Sequence, residues 1–140
     1  MPFFVDANVV IYTATGGPME APCAAIMDAI GQGADARMST ASLEEVWHFE
    51  LSGRGDDVTG LTRAAYAVFT PLLPVTDATV RIALDIDAAR IGANDRIHVA
   101  TCLENGIDTI VTADSDFDGV RGLRRVDPLD TRAVQRLLRS

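Results

Sequence analysis

Two short apolar runs that each end in aspartate constrain the fold of this chain most. Phe3, Phe4, Val5 lead into Asp6, Ala7, Asn8, and Ile110, Val111 lead into Thr112, Ala113, Asp114, Ser115, Asp116, Phe117, Asp118. A continuous apolar run, rather than an alternating one, marks a strand buried on both faces, as in a parallel sheet covered by helices. Open sheets of that kind present their chemistry beyond the carboxyl ends of their strands. Two strands ending in aspartate therefore point to a divalent cation site.

Between the runs the periodicity is helical. Asn8 to Tyr12 begins a helix, and Gly16, Gly17, Pro18 break the chain. Ala21, Ala24, Ala25, Ile26, Met27 and Ile30 then fall at helical spacing until Gly31 and Gly33. Ala36 to Met38 predicts a second short strand. Ser39, Thr40 and Ser42 offer N-cap oxygens to a helix running through Leu51, with Leu43, Val46, Trp47 and Leu51 on one face before Gly53 and Gly55. Asp56 to Phe69 predicts another helix, stopped by Pro71 and Pro74, with Leu73 and Val75 as a candidate strand.

From Asp77 the positions Val80, Ile82, Ala83, Leu84 and Ile86 continue a helical pattern up to Gly92. Asp95 to Glu104 is a further helix, with Ile97, Ala100 and Leu103 inward and Gly106 as its stop. Thr109 to Thr112 is the clearest interior strand. Leu123 to Val126 is a weaker edge strand, followed by Pro128 and an Arg-studded terminal helix. Strands alternating with helices imply an α/β domain whose parallel sheet is covered on both faces. At 140 residues the chain reads as a single domain over 1–140.

Composition narrows the function classes. No apolar run reaches the ~18 residues of a membrane span, and no basic-then-apolar signal segment is present, so a cytoplasmic protein is expected. Cys23 and Cys102 are too far apart for a zinc or redox motif and sit in apolar helical patterns, which predicts buried free thiols. The formal net charge of −8 opposes generic polyanion binding. Acids gathered around bound Mg²⁺ or Mn²⁺ answer that objection, because each ion returns two positive charges. All basic residues are Arg, which excludes mechanisms that need Lys.

Four carboxylates stand out: Asp6 after the first strand, Glu45 in the third helix, Asp95 opening the sixth, and Asp114 after the strand at 109–112, with Asp116 a candidate fifth. Brought together they form an all-oxygen cage of the kind hard Mg²⁺ or Mn²⁺ prefers. Without a cation such a cluster repels itself or raises its pKa values. Each acid also has a plain structural reading. Asp6 and Asp114 suit turns, Asp95 suits a helix N-cap, and Glu45 competes with its neighbour Glu44. His48 and His98 read as satisfied histidines rather than metal ligands.

The ordered set is more specific than any member. Asp6-Ala7-Asn8, then Glu45 before Val46, then Asn94-Asp95-Arg96-Ile97-His98-Val99-Ala100, then Thr112 to Asp118, resembles the PIN domain in order and spacing over nearly the whole chain. Within that superfamily it is most similar to the ribonuclease toxins of VapBC toxin–antitoxin operons, including the run from Gly122 and Leu123 to Pro128. The resemblance implies a PIN-like three-layer α/β/α domain with a central, mostly parallel sheet of four to five strands. It also implies a Mg²⁺- or Mn²⁺-dependent endoribonuclease.

By position, Asp6, Glu45, Asp95 and Asp114 match the family's acidic metal-binding residues and Asp116 its more variable fifth acid. Asn8 and Thr112 match supporting polar positions. The expected partners are an RNA substrate, a small cognate antitoxin and a second copy of the chain, and Val9 to Tyr12 or the Ala-rich helices are available for a dimer contact. Arg54, Arg96 and Arg121 are candidate RNA contacts. Two other readings compete: a PIN-like module that binds RNA or protein without cutting, and an aspartyl-nucleophile phosphatase in which Asp6 attacks phosphorus. The latter class normally places a Lys beside the phosphoryl group, and none exists here.

Overall fold

The computed structural model describes residues 1–53 and 58–140. Its elements run β1 (Phe3–Val5), α1 (Ala7–Thr15), α2 (Glu20–Gly31), β2 (Ala36–Arg37), α3 (Thr40–Ser52), α4 (Leu61–Phe69), α5 (Asp77–Leu84), α6 (Ala93–Glu104), β3 (Thr109–Val111), a 3₁₀ turn (Ser115–Phe117), β4 (Arg124–Val126) and α7 (Thr131–Arg139). The four strands form one sheet in the order β2-β1-β3-β4, and every pairing is parallel.

Side chains alternate across a strand, so each short strand feeds two cores. Phe3 and Val5 join Val9, Val10, Ile26, Met38 and Leu137 on one face. Phe4 joins Ile110, Val99, Cys102 and Phe117 on the other. The result is a three-layer α/β/α domain with four strands in the sheet. Val9 and Val10 are thereby core residues. Cys23 and Cys102 are buried free thiols, and burial pushes them up to about 11 and about 12. No helix among the described residues is long and apolar enough to cross a membrane.

Several element boundaries depart from expectation. The helix expected from Asp56 begins at Leu61, because Gly60 turns the chain at φ +88°, a conformation that favours glycine; Gly55, Asp56 and Asp57 lie outside the described residues. The candidate strand at Leu73 and Val75 reduces to one parallel bridge between Leu73 and Ser39. The helix from Asp77 ends at Leu84 and does not reach Gly92.

Two helix faces also differ. On α3 Val46 is buried, while Trp47 and Leu51 are exposed. Trp47 instead lines an apolar groove of about 660 Å³ between α3 and α4, together with Leu43 and Tyr66. On α6 Ala100 is inward as expected, but its neighbours inside are His98, Val99, Thr101 and Cys102, and Leu103 is exposed.

Candidate metal centre

Parallel pairing sets Val5 opposite Val111, so β1 and β3 end side by side. The chain leaves β1 for β2 on one side and β3 for β4 on the other. The crevice between the two central strands is therefore the switch point where α/β sheets bind ligands. Asp6 and Thr112 are the first residues past those strand ends, tied to the sheet by Asp6 N–H to Val111 O at 3.0 Å and Thr112 N–H to Val126 O at 3.2 Å.

Asp6 precedes α1 but its side chain does not cap that helix. It is 5% exposed. Its Oδ2 accepts from Thr112 Oγ1 at 2.8 Å and from Asn8 Nδ2 at 3.3 Å. Asn8 Nδ2 also donates to Thr112 Oγ1 at 3.0 Å, and Asp114 N–H donates to that same oxygen at 3.1 Å. One threonine hydroxyl thus couples the loop after β1 to the loop after β3. Asp114 Oδ1 accepts from the Asp116 amide at 2.9 Å, which opens the 3₁₀ turn. Asp116 itself is exposed.

Asp95 is not an N-cap. Gly92 holds that place, and Asp95 sits in the first turn of α6. Between Glu44 and Glu45, it is Glu45 that turns toward α6: its Oε1 accepts from Asn94 Nδ2 and lies 2.9 Å from His98 Nε2. Glu44 is exposed and lines a hollow of about 300 Å³ with His48 and Asn94.

Electrostatics ties the members together. Burial, then the charges of Asp6, Asp114 and Glu45, push the Asp95 carboxyl up to about 6 against an opposing pull from His98. Burial likewise raises Asp6, countered by His98 and the Thr112 hydroxyl. For His98 burial pulls downward, but the Glu45 hydrogen bond and the charges of Asp6, Glu45 and Asp95 outweigh it and hold the imidazole above its ordinary value. This mutual repulsion is what a divalent cation relieves. Asp6, Glu45 and His98 each offer one ligand atom within 4.8 Å of the others. The Asp6 and Glu45 carboxylate oxygens thus come close enough to share one divalent metal, and Asp95, whose charge is coupled to both, adds a third acid to a donor set that fits such an ion.

The candidate arginines separate. Arg96 spends its guanidinium on the loop after α5, donating to the carbonyls of Ile91 at 3.1 Å, Ala88 at 2.8 Å and Ile86. That use takes it away from a phosphate. Arg121 is exposed and lines a separate hollow of about 470 Å³ with Asp85 and Asp87. Arg54 lies outside the described residues.

Sequence reasoning gave no role to Arg125, which clamps the loop carrying Asp114. Its Nε and Nη2 grip Asp118 at 2.8 and 3.2 Å, and Nη1 donates to Thr112 O at 3.1 Å. The Asp118 contact holds that carboxyl below the usual carboxylate range. Arg125→Ala is expected to lower the melting temperature by about 3 to 6 °C in a thermal scan, and to weaken metal binding by loosening the Asp114 loop. An unchanged scan and unchanged binding would leave the clamp without effect. His98, Asn94 and Ser42 were also passed over as site residues; the one available signal was that His98 follows Asp95 by three positions and so shares its helix face.

Comparison with known proteins agrees with this geometry. Solved structures similar to the chain include VapBC2 from Rickettsia felis bound to a DNA fragment from its promoter, at 12% identity, TM-score 0.70, 91% of this chain and 98% of that one. FitAcB from Neisseria gonorrhoeae matches at 17% identity and TM-score 0.69, over 90% and 97%. The Sarcin-Ricin loop cleaving toxin VapC20 from Mycobacterium tuberculosis matches at 16% identity and TM-score 0.64, over 87% and 98%. Identities this low speak for the fold. Among curated protein sequences no relative matches. The family model of the PIN domain matches residues 3–123. Because that span covers most of the chain and takes in both central strands with Asp6, Glu45, Asp95, Asp114 and Asp116, the chain belongs to the PIN domain family.

Proposed function

We propose that this chain is a metal-dependent endoribonuclease that hydrolyses RNA phosphodiester bonds, and that it is the toxin of a type II toxin–antitoxin pair. The observation that carries the reading is the meeting of Asp6, Glu45, Asp95 and Asp114 from separate elements, where burial first and then the charges of Asp6, Asp114 and Glu45 raise the Asp95 carboxyl. RNA as substrate is supported by the likeness to a Sarcin-Ricin loop cleaving toxin, and a small antitoxin partner by the likeness to the VapBC2 and FitAcB complexes. A homodimer remains part of the proposal on the same resemblance.

Asp6, Asp95 and Asp114 hold the principal Mg²⁺ or Mn²⁺ in this reading, with Glu45 and Asp116 completing or orienting a second site. When bound, such an ion lowers the pKa of water and stabilises the oxygen that leaves phosphorus. Thr112 and Asn8 fix the Asp6 carboxylate, so that it faces the ion without reorganising. No covalent intermediate is needed, and no Lys is available to support an aspartyl-phosphate route.

Expression in a bacterial host is expected to arrest growth, with relief from Asp95→Asn or from co-expressed cognate antitoxin. Purified protein should cut total RNA with Mn²⁺ and stop with EDTA. Glu45→Gln should lose cleavage while Glu44→Gln retains it, given which side chain meets Asn94 and His98. Abundant protein, unchanged growth and intact RNA would favour a binding module that does not cut.

A further inference from the structure

We propose, resting on the nuclease reading above, that His98 is a positioning residue: it carries its proton on Nε2 and holds the Glu45 carboxylate through it, with the Ser42 hydroxyl placed to donate to the bare Nδ1. His98 is fully buried on α6, its ring 5.6 Å from that of Phe4. Nε2 lies 2.9 Å from Glu45 Oε1, and an ionised carboxylate can only accept, so Nε2 must donate.

The other edge of the ring is compatible with that assignment. Ser39 Oγ accepts the Ser42 N–H at 3.1 Å and gives its own proton to Ser42 Oγ at 3.3 Å. That leaves the Ser42 hydroxyl free to donate to His98 Nδ1, 3.4 Å away, which is bare in the neutral ring once Nε2 holds the proton. Donors run in one direction, from Ser39 through Ser42 and His98 to Glu45. Ser39, Ser42 and His98 are all fully buried, so water does not compete for these groups.

A nitrogen bearing a proton has no lone pair for a metal. His98 Nε2 comes within 4.8 Å of ligand atoms on Asp6 and Glu45, yet its proton commits it to Glu45. Glu45 benefits because its side chain is 30% exposed and otherwise free to swing toward solvent. With His98 and Asn94 both donating to its Oε1, its carboxylate stays turned toward the cluster.

The test is ¹H–¹⁵N correlation of the imidazoles in histidine-labelled protein, ion-free and loaded with Mg²⁺, with His48→Gln to assign the second ring. At a pH above the raised value of the imidazole, where the ring is neutral, the expected result is the Nε2–H tautomer of His98 in both states. In Ser42→Ala the neutral ring should keep the Nε2–H tautomer, because Glu45 alone requires it. Mg²⁺ affinity by calorimetry should fall about tenfold or more in His98→Leu and recover most of that loss in His98→Gln, whose amide can still donate to Glu45. An Nδ1–H tautomer in the ion-free parent, loss of the Nε2 proton on adding Mg²⁺, or a His98→Gln variant as weak as His98→Leu would each overturn the proposal. A parent that binds no Mg²⁺ would instead overturn the nuclease reading, and the ion-free spectrum would still decide the tautomer.

Discussion

Asp6→Asn and Asp114→Asn are expected to lower RNA cleavage by more than about 100-fold while leaving circular dichroism native. Loss of a group that merely orients a ligand already costs about 10- to 100-fold, and these variants remove the charge that holds the ion. The fold should survive, because an amide keeps the shape of the carboxylate. Asn at position 6 can still accept from Thr112 Oγ1, which now reaches Asp6 at 2.8 Å. Asn at position 114 can still accept from the Asp116 amide. Initial rates on a labelled RNA, at saturating Mn²⁺ and at several RNA concentrations, separate a fall in kcat from a rise in KM. The loss should lie in kcat. Cleavage at the parent rate by either variant would show that these carboxylates are turn and cap residues, as each could be on its own.

Those alternatives were open in the sequence because a lone aspartate after a strand looks the same whether it caps or ligates. What the sequence did carry was the placement. The runs Phe3 to Val5 and Thr109 to Val111 are short, apolar on both faces and interrupted by polar residues, so their ends were legible from local pattern alone. Once both strands are parallel and adjacent, Asp6 and the loop with Asp114 must meet. The edge position of β4 was legible for the same reason, since Arg124 and Arg125 break its apolar run.

Buried polar groups were not legible. Ser42, His98 and Thr101 are fully buried because each finds hydrogen-bond partners: Ser42 and His98 within the chain that starts at Ser39, Thr101 on the Ile97 carbonyl. On a helical wheel such residues mimic a solvent face, which turned the expected interior of α6 toward Leu103. The opposite error arose on α3, where Trp47 and Leu51 are apolar yet exposed. The early end of α5 has a nonlocal cause too. Arg96, five to ten residues on, gathers the carbonyls of Ile86, Ala88 and Ile91 and satisfies a loop that periodicity would have continued as helix.

The same crowding of charge makes stability depend on metal and pH together, and this is the second large effect expected. Without an ion, Asp95 titrates near 6 in the folded chain against 3.8 ordinarily, and Asp6 is raised as well. A raised carboxyl means that the native state holds a proton which the unfolded state has released. Stability therefore falls as pH rises from about 4 through about 6. His98 acts in the same direction: its folded value is raised, so its contribution is present below its ordinary 6.5 and is lost as pH climbs through the folded value.

The Asp95 shift is worth at most about 3 kcal/mol, and its partial exposure reduces that to about 1 to 2. A divalent ion reverses the trend, because it binds the ionised carboxylates and competes with protons. At about a hundred times its Kd it adds about 2.7 kcal/mol. Calorimetric melting of the EDTA-treated protein should therefore give a higher melting temperature at pH 5 than at pH 8. With Mn²⁺ the order should flatten or invert. Asp6→Asn should melt higher than the parent at pH 8 in EDTA and respond less to Mn²⁺, since one of the repelling charges and one of the ligands are the same group. Parallel pH profiles with and without the ion, or equal Mn²⁺ shifts in parent and variant, would place the binding site away from these carboxylates.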